Sequence, residues 1–595
     1  MKHALSLVLL FFTFNCFSKV VLCETQTIPI NQVQGSESES AYVGQEITVK
    51  GVVTGDFRGE DALSGFFIQS VDADADVTTS EAIFIHTNDM SYDIKLGDWV
   101  QVKGMVSEQF GVTQLGHVSG LDTCQRNMTL PAATKIHLPL VGVNLEQLES
   151  MRVSLAEPAV ITDLYQYIKY GEMTVSTKML LAPSAKFRPG EEMNQYRQQI
   201  TDHQIIIDDG RTAAFSEPFS YGTDGKTPVS ENNPLSLGSL VQTTGVLHYA
   251  FGKFKIQPTE QLKITASHYN RNLKPQDPGG SLKIATFNIE NFFTTIDGGK
   301  EICGPQRNFF CRGADSESEY HRQLAKLVAV INAANATVMG VQEFENNDTA
   351  VVDLVKALNH DVGFDKWSFI DTGVLGEDVI KVGLIYQAQL VKPVGEFSLL
   401  NAEVNPAFKE NKNRIVVRQT FVTQNNKKFN VATAHFKSKS CRDAEAENLD
   451  QGDGQGCYNA VRTEVAQQVA DWLNGLPKHD FTVLVGDLNS YQKEDPINTL
   501  QSNGFVNLAE HWLGEENWST TYKGKVGSLD YIMANKAATE RSVGVTQWHI
   551  NSTEIDDFGY NLEGFKEGVK KPASFYAQSP FSSSDHDLVI AGFNL

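Results

Sequence analysis

The sequence predicts an α+β protein: an all-β N-terminal region, then a half in which sheet strands are covered by helices. Three observations carry this reading. Residues 41–135 hold short β-rich runs (EITVKGVVTGDF, SGFFIQS, EAIFIHT, DWVQVKGMVSEQF) separated by Gly and Asp turns. A stretch that gathers Pro and Gly, NLKPQDPGGS, closes that region. Beyond it, amphipathic helical patterns are each followed by an apolar run, TVMGVQE or FTVLVGD.

In chain order, Lys2 and His3 form a basic start and Ala4 to Phe14 an apolar run, too short to span a bilayer. This reads as an export signal, cleaved after Ser18 or after Cys23. The seven cysteines bear on the choice: cleavage after Ser18 leaves six, cleavage after Cys23 leaves five. An exported chain meets oxidising conditions where an odd thiol is a liability, so the reading leans to a signal over residues 1–18. Cys303 and Cys311, and Cys441 and Cys457, are near enough in sequence to staple short loops, which leaves Cys23 with Cys124. No pair has C-x-x-C spacing, which argues against zinc.

Residues 41–135 suit a small barrel, and 150–268 continue in the same β-rich style. A linker at 270–281 precedes the second half, 282–595. There Leu324, Leu327, Val328 and Ile331 fall on one helical face, as do Val465, Val469, Trp472 and Leu473. The 595 residues carry 50 Lys+Arg against 72 Asp+Glu, a net charge of −22. That argues against nucleic-acid binding by bulk positive charge, but not against an enzyme that handles phosphates through a bound metal. Past the N-terminus no apolar run reaches membrane-spanning length.

The strands of the second half end in polar residues. KIATFN ends in Asn288, VMGVQE in Glu343, FNVATAH in His435, and TVLVGD in Asp487 with Asn489 two further on. SLDYIM opens near Asp530, and Asp585 and His586 precede the last apolar run. A single polar strand end is ordinarily a solvated one; six at one kind of position point to a sheet rim where ligands gather. Carboxylates and an amide suit Mg²⁺ or Mn²⁺, and two histidines titrate near neutral pH. With no P-loop, G-x-S-x-G elbow or H-E-x-x-H, metal-assisted attack of water on a phosphorus ester fits best.

Together ATFNIENFF, GVQEFEN, ATAHFKSK, LVGDLNS, SLDYIM and SSDHDLV resemble the endonuclease/exonuclease/phosphatase superfamily, the fold of deoxyribonuclease I. CRGADSESEYHRQ, NRIVVRQTF and DGQGCYNAVR, with GVVTGDF, GFFIQ and SEAIFIHT in the N-terminal half, resemble its large secreted bacterial nucleases of the ExeM type. The resemblance implies a four-layer α/β sandwich over 282–595 behind a barrel of the oligonucleotide/oligosaccharide-binding type. It implies Asn288, Glu343 and Asp585 as metal-holding residues and His435, Asp487, Asn489, Asp530 and His586 as catalytic ones. Arg414 resembles a phosphate-contacting arginine. In the deoxyribonuclease a glutamate orients the histidine matching His435; here Asp378, or another residue of GEDVIKVGLIY, is the candidate.

The expected partner is extracellular DNA, with RNA left open. The expected chain acts as a monomer, without a membrane, and is secreted or held in the periplasm. Mg²⁺ or Mn²⁺ is the expected cofactor. Arg312, Arg322, Arg414, Arg418, Lys437, Lys439 and Arg442 lie in or beside the motifs and would offset the net charge locally. Ca²⁺ is a further candidate. Asp72, Asp74 and Asp76 fail the EF-hand pattern at Val77 and Ile83, but the acidic, Gly-rich segment between Cys441 and Cys457 could take it. Two other readings compete: a phosphodiesterase or phosphatase on a lipid or sugar phosphate, and a nucleic-acid-binding or adhesion protein with a dead site. The first lacks an apolar hairpin for a lipid surface; the second would not need all of Glu343, Asp487, Asn489, Asp585 and His586.

Overall fold

The computed structural model describes residues 22–595 except 73, 75, 217–220, 268, 270, 478 and 565–568. The expected signal over 1–18 therefore lies outside the described residues. The chain divides into two compact units.

The first unit is built on five strands: β1 (Glu46–Phe57), β2 (Gly65–Gln69), β3 (Ala82–His86), β4 (Trp99–Gln109) and β5 (Val112–Gln125). They close into a barrel in the order β1-β2-β3-β5-β4. Alternating apolar residues, among them Val49, Val53, Ile68, Ile85, Val102 and Leu115, fill its interior. A disulfide joins Cys23 to Cys124. Glu149 is fully buried in this unit, accepting from the Thr113 amide at 3.1 Å, and burial pushes its carboxyl up to about 8.

The second unit contains most of the 150–268 region and all of 282–595. In its first part Ala159–Asp163, Met173–Ser176 and Gln204–Ile207 pair in antiparallel succession. A 12-residue helix, Glu191–Asp202, lies between the last two, inside the region read as β-rich. The remainder carries twelve labelled strands: β6 (Leu282–Phe292), β7 (Val338–Glu345), β8 (Trp367–Phe369), β9 (Ile380–Gln387), β10 (Val391–Pro393), β11 (Val416–Thr423), β12 (Lys428–His435), β13 (Thr482–Asp487), β14 (Val506–Asn507), β15 (Asp530–Ala534), β16 (Ser542–Trp548) and β17 (Leu588–Phe593). One sheet runs β8-β9-β7-β6-β17-β16 and the other β10-β11-β12-β13-β15-β14.

The sheets face each other. Gly340 of β7 has no side chain because a Cβ there would lie 2.4 Å from Val485 and 2.8 Å from Thr433 of the opposite sheet. Outside the first sheet pack α1 (Glu317–Ala334) and α2 (Ala350–Val362), burying Leu327, Ile331, Leu354 and Leu358 against Phe287, Met339 and Ile385. Outside the second packs α3 (Asn459–Asn474) with Val465, Val469 and Leu473 inward. The result is four layers, helix-sheet-sheet-helix. Each sheet contains one parallel pair joined through a crossover helix: β6 to β7 through α1, β12 to β13 through α3. The C-terminal ends of these pairs are where ligand-binding residues gather in such sheets.

Candidate active site

The second sheet delivers three groups in register: His435 pairs with Asp487, and Asp487 with Asp530, across β12, β13 and β15. These stand at strand ends as the sequence reading expects. Asn288 and Glu343 do not. Strand β6 continues to Phe292 and β7 to Glu345, with a register break between Asn288 and Phe292 and another between Val341 and Phe344. Glu290, Asn291 and Glu343 take left-handed φ values of 52°, 53° and 73°. A paired irregularity of this kind re-aims side chains at a cost of about 1–3 kcal/mol per strained residue.

Asn288 sits between two carboxylates: its Nδ2 donates to Glu343 Oε1 at 3.2 Å and Asp487 Oδ2 at 3.1 Å. Its Oδ1 accepts from the Glu290 amide at 3.0 Å, leaving one lone pair. Glu343 is held in turn by the Asn291 amide at 2.9 Å. Asn489, with φ 47°, donates its backbone N–H to Asp487 at 2.8 Å and its amide to the Phe436 carbonyl at 3.2 Å. His435 Nε2 lies 3.3 Å from Asp487 and 3.8 Å from Glu343. Burial opposes the charge of Asp487, but His586, His435 and the Asn489 amide outweigh it and hold its carboxyl well below the usual range.

His586 is fixed through Nδ1, 2.7 Å from Asp530 Oδ2, which also accepts from Ser519 Oγ at 2.7 Å. Its Nε2 then points to Asp585 at 3.9 Å and Asp487 at 4.0 Å. Burial works against the imidazolium; Asp530, Asp585 and Asp487 overcome it and raise His586 well above its ordinary value. Asp585 is the most open of these, its side chain 64% exposed. Ser584 ties the loop to β6, donating to the Asn288 carbonyl at 2.7 Å.

Two expectations need correction. Asp378 does not orient His435: it pairs with Arg414 Nε at 3.1 Å, and His435 Nδ1 is buried without a hydrogen-bond partner. Arg414 is therefore already matched to a carboxylate, and its Nη1 donates to the Phe436 carbonyl at 3.0 Å. Of the cations expected to offset the net charge, Arg322 is tied to the Tyr560 carbonyl and Glu563, Arg418 covers the Trp472 ring, and Lys439 pairs with Glu494. The turns of the calcium candidates are closed by their own carboxylates. Asp76, Asp450 and Asp453 accept from amides of their own turns.

Two groups were missed. Glu290 stands beside Asp585 and Glu343; burial and those two charges hold it well above the usual carboxylate range. The left-handed backbone at Glu290 and Asn291 breaks the strand alternation, so no periodicity in the sequence points to Glu290. Asp587, fully buried, accepts from the amides of Ile550, Asn551 and Ser552 at 3.1, 2.9 and 3.0 Å and so braces the His586 loop. Nothing local in the sequence signals that contact.

Burial and neighbouring negative charge raise Glu290 and Asp585, and carboxylates gathered in this way suit a cation. Glu343, Asp585 and Glu290, with the free lone pair of Asn288, are hard oxygen donors that fit a divalent ion. Among the described residues, the acidic and histidine side chains whose ligand atoms lie within 4.8 Å of one another are Asp487, Asp530 and His586, which could hold a metal. However, the Nδ1–Oδ2 hydrogen bond already commits Asp530 and one nitrogen of His586.

The family described as Endonuclease/Exonuclease/phosphatase matches residues 285–586. A second, described as a domain of unknown function (DUF8508), matches residues 144–268. No curated protein matches. Among solved structures, the chain is similar to D. rerio TDP2 complexed with single-strand DNA product, at 16% identity over 53% of this chain and 99% of that one, TM-score 0.32. It is similar to a mannosyl-6-phosphatase of Bacteroides thetaiotaomicron at 14% identity, over 52% and 98%, TM-score 0.30. It is also similar to an AP endonuclease from Archaeoglobus fulgidus at 14% identity, over 53% and 100%, TM-score 0.31.

Proposed function

The chain belongs to the endonuclease/exonuclease/phosphatase family, and from that premise we propose that it is a secreted, divalent-metal-dependent nuclease of the ExeM type that cuts DNA within the strand without reading sequence. Members of the family act on phosphodiesters or phosphate esters. The observation that carries the proposal is the meeting of two histidines with Asp487. His435 Nε2 is 3.3 Å and His586 Nε2 4.0 Å from the same carboxylate oxygen, which supports a reading in which one proton-handling group serves the attacking water and the other the departing oxygen.

In this reading the neutral form of His586, its Nδ1 held by Asp530, accepts the proton of the attacking water at Nε2, and the carboxylates that raise its basicity strengthen that acceptance. His435 donates to the departing oxygen. Asp487 and the Asn489 amide hold the groups between them. A divalent ion, Mg²⁺ or Mn²⁺ by the donor set, supplies charge stabilisation on the phosphate oxygens when bound at Glu343, Asp585, Glu290 and Asn288. Cutting without sequence preference needs backbone contacts alone, with affinity that falls as salt rises. Three disulfides support an oxidising destination, as does the apolar N-terminal run.

The test is digestion of closed-circular plasmid by the purified chain with Mg²⁺, Mg²⁺ plus Ca²⁺, or EDTA, beside His586→Ala. Nicking and linearisation that EDTA and the substitution both abolish is the expected result. Intact plasmid under every metal, from folded protein, refutes it and moves the search to phospholipids and sugar phosphates.

A further inference from the structure

Four charged side chains that the chemistry leaves unused are buried together. Lys326 of α1 is 0% exposed, Glu231 and Glu554 each 2%, and Arg271 20%. Arg271 spans the two acids, 2.8 Å from Glu231 and 3.1 Å from Glu554, and its Nη1 donates to the Glu231 carbonyl at 2.6 Å. Lys326 lies 3.8 Å from Glu231. Such a cluster is poor evidence of stability, because apolar residues of similar volume would commonly do as well. Its contacts indicate another use.

Every member touches the segment leading to Asp585 and His586, or the turn that braces it. Lys326 donates to the Phe581 carbonyl at 2.6 Å, and the Arg271 guanidinium lies 4.1 Å above the Phe581 ring. Ser579 donates to Glu231 at 2.6 Å. Glu554 ends the turn whose amides at 550–552 hold Asp587. That turn receives a further strut, the Leu237 amide on the Thr553 carbonyl at 2.8 Å. From Phe581 the chain passes through Ser582, in the left-handed region at φ 49°, and Ser583, whose amide binds Asn551 at 2.8 Å. A loop with a strained residue keeps one shape only when its surroundings over-determine it.

We propose that Glu231 and Arg271 are positioning residues for the active site: they clamp 579–583 so that Asp585 and His586 reach the cleft. Glu231 lies in the segment matched only to a domain of unknown function, and both residues lie outside the family match at 285–586. The segment around 231 thereby acquires a role as part of the catalytic machinery's support. The inference rests on the reading of Asp585 and His586 as working residues.

The experiment uses the full chain and compares wild type with Glu231→Gln, Arg271→Lys and the milder Ser579→Ala. Hydrolysis of bis(p-nitrophenyl) phosphate in saturating Mn²⁺ gives kcat and KM; hydrogen exchange of the metal-free protein reports on amides 579–588. Glu231→Gln is expected to lower kcat by about 10- to 100-fold with KM changed by less than about threefold. Exchange over 579–588 should quicken by about tenfold or more while the sheet amides keep their protection. Arg271→Lys and Ser579→Ala should show smaller losses in the same order, and they carry the test if Glu231→Gln does not fold. Unchanged kcat and local exchange in a folded variant overturns the proposal. So does a loss that tracks a uniform rise in exchange across the second unit, the mark of a purely structural cluster. Should wild type hydrolyse neither this diester nor plasmid, the nuclease reading fails, and the exchange comparison still decides the clamp.

Discussion

Replacing Asp530 with Asn separates two roles that the geometry offers this residue. Its Oδ2 is the hydrogen-bond partner of His586 Nδ1 at 2.7 Å and of Ser519 Oγ at 2.7 Å, and the residue is fully buried. Asn has nearly the same shape and can still accept from the imidazole, but it carries no charge. Removing one partner of a buried ion pair costs about 3–5 kcal/mol. If that charge supports the imidazolium formed as His586 takes a proton, the barrier rises by that amount and kcat falls by about a hundred- to several-thousand-fold. Glu343, Asp585 and Asn288 are untouched, so the half-saturating metal concentration should move by less than about threefold. The assay is hydrolysis of bis(p-nitrophenyl) phosphate across a Mn²⁺ titration, with the melting temperature as a check on folding. A variant that keeps more than about a fifth of wild-type kcat refutes the His586–Asp530 pairing as the proton-handling unit. A loss that high metal restores refutes it differently: Asp530 would then be a metal ligand, with Asp487 and His586 beside it.

Glu343→Gln should behave in the opposite way, raising the half-saturating Mg²⁺ or Mn²⁺ by about tenfold or more; an unchanged metal titration would remove Glu343 from the metal site. Glu149→Gln should stabilise the barrel. The native carboxyl sits at about 8 against about 4.5 unfolded, so the native state binds the extra proton between those values and stability falls as pH rises through that window. Between pH 4 and 7 the wild type should lose about 3 kcal/mol that the variant does not; parallel stability–pH curves, followed by exchange of the barrel amides, would sink this. Gly340→Ala should cost about 1–3 kcal/mol by forcing the two sheets apart, read as a lower urea midpoint of the second unit; a midpoint equal to wild type would mean that Val485 and Thr433 can yield.

What the sequence makes legible is chemistry placed by regular structure. His435 and Asp487 end two parallel neighbours, Asp530 begins the next strand, and apolar periodicity locates all three. The same rule misplaces the ends of β6 and β7, because their irregularity is made with Glu290, Asn291 and Glu343 rather than with glycine, the residue that would have announced it. The resemblance points to Asp378, or another residue of its segment, as the orienting partner of His435, but that carboxylate pairs with Arg414 instead. Least legible are residues whose work is done on other residues. Glu231 meets Ser579 across 348 positions and Ser184 meets Glu494 across 310, and neither contact leaves a periodicity or a motif. The site is thus two kinds of information. Reacting groups are constrained by chemical type, so a handful of short motifs betrays them. Their supports are constrained by burial and partner alone, and an acid in a loop of the accessory segment looks like any solvated acid until the fold puts it beside Lys326 and Arg271. Activity that depends on such supports should be only partly recovered by grafting the motifs onto another member of the fold, short by about the 10- to 100-fold expected of Glu231→Gln.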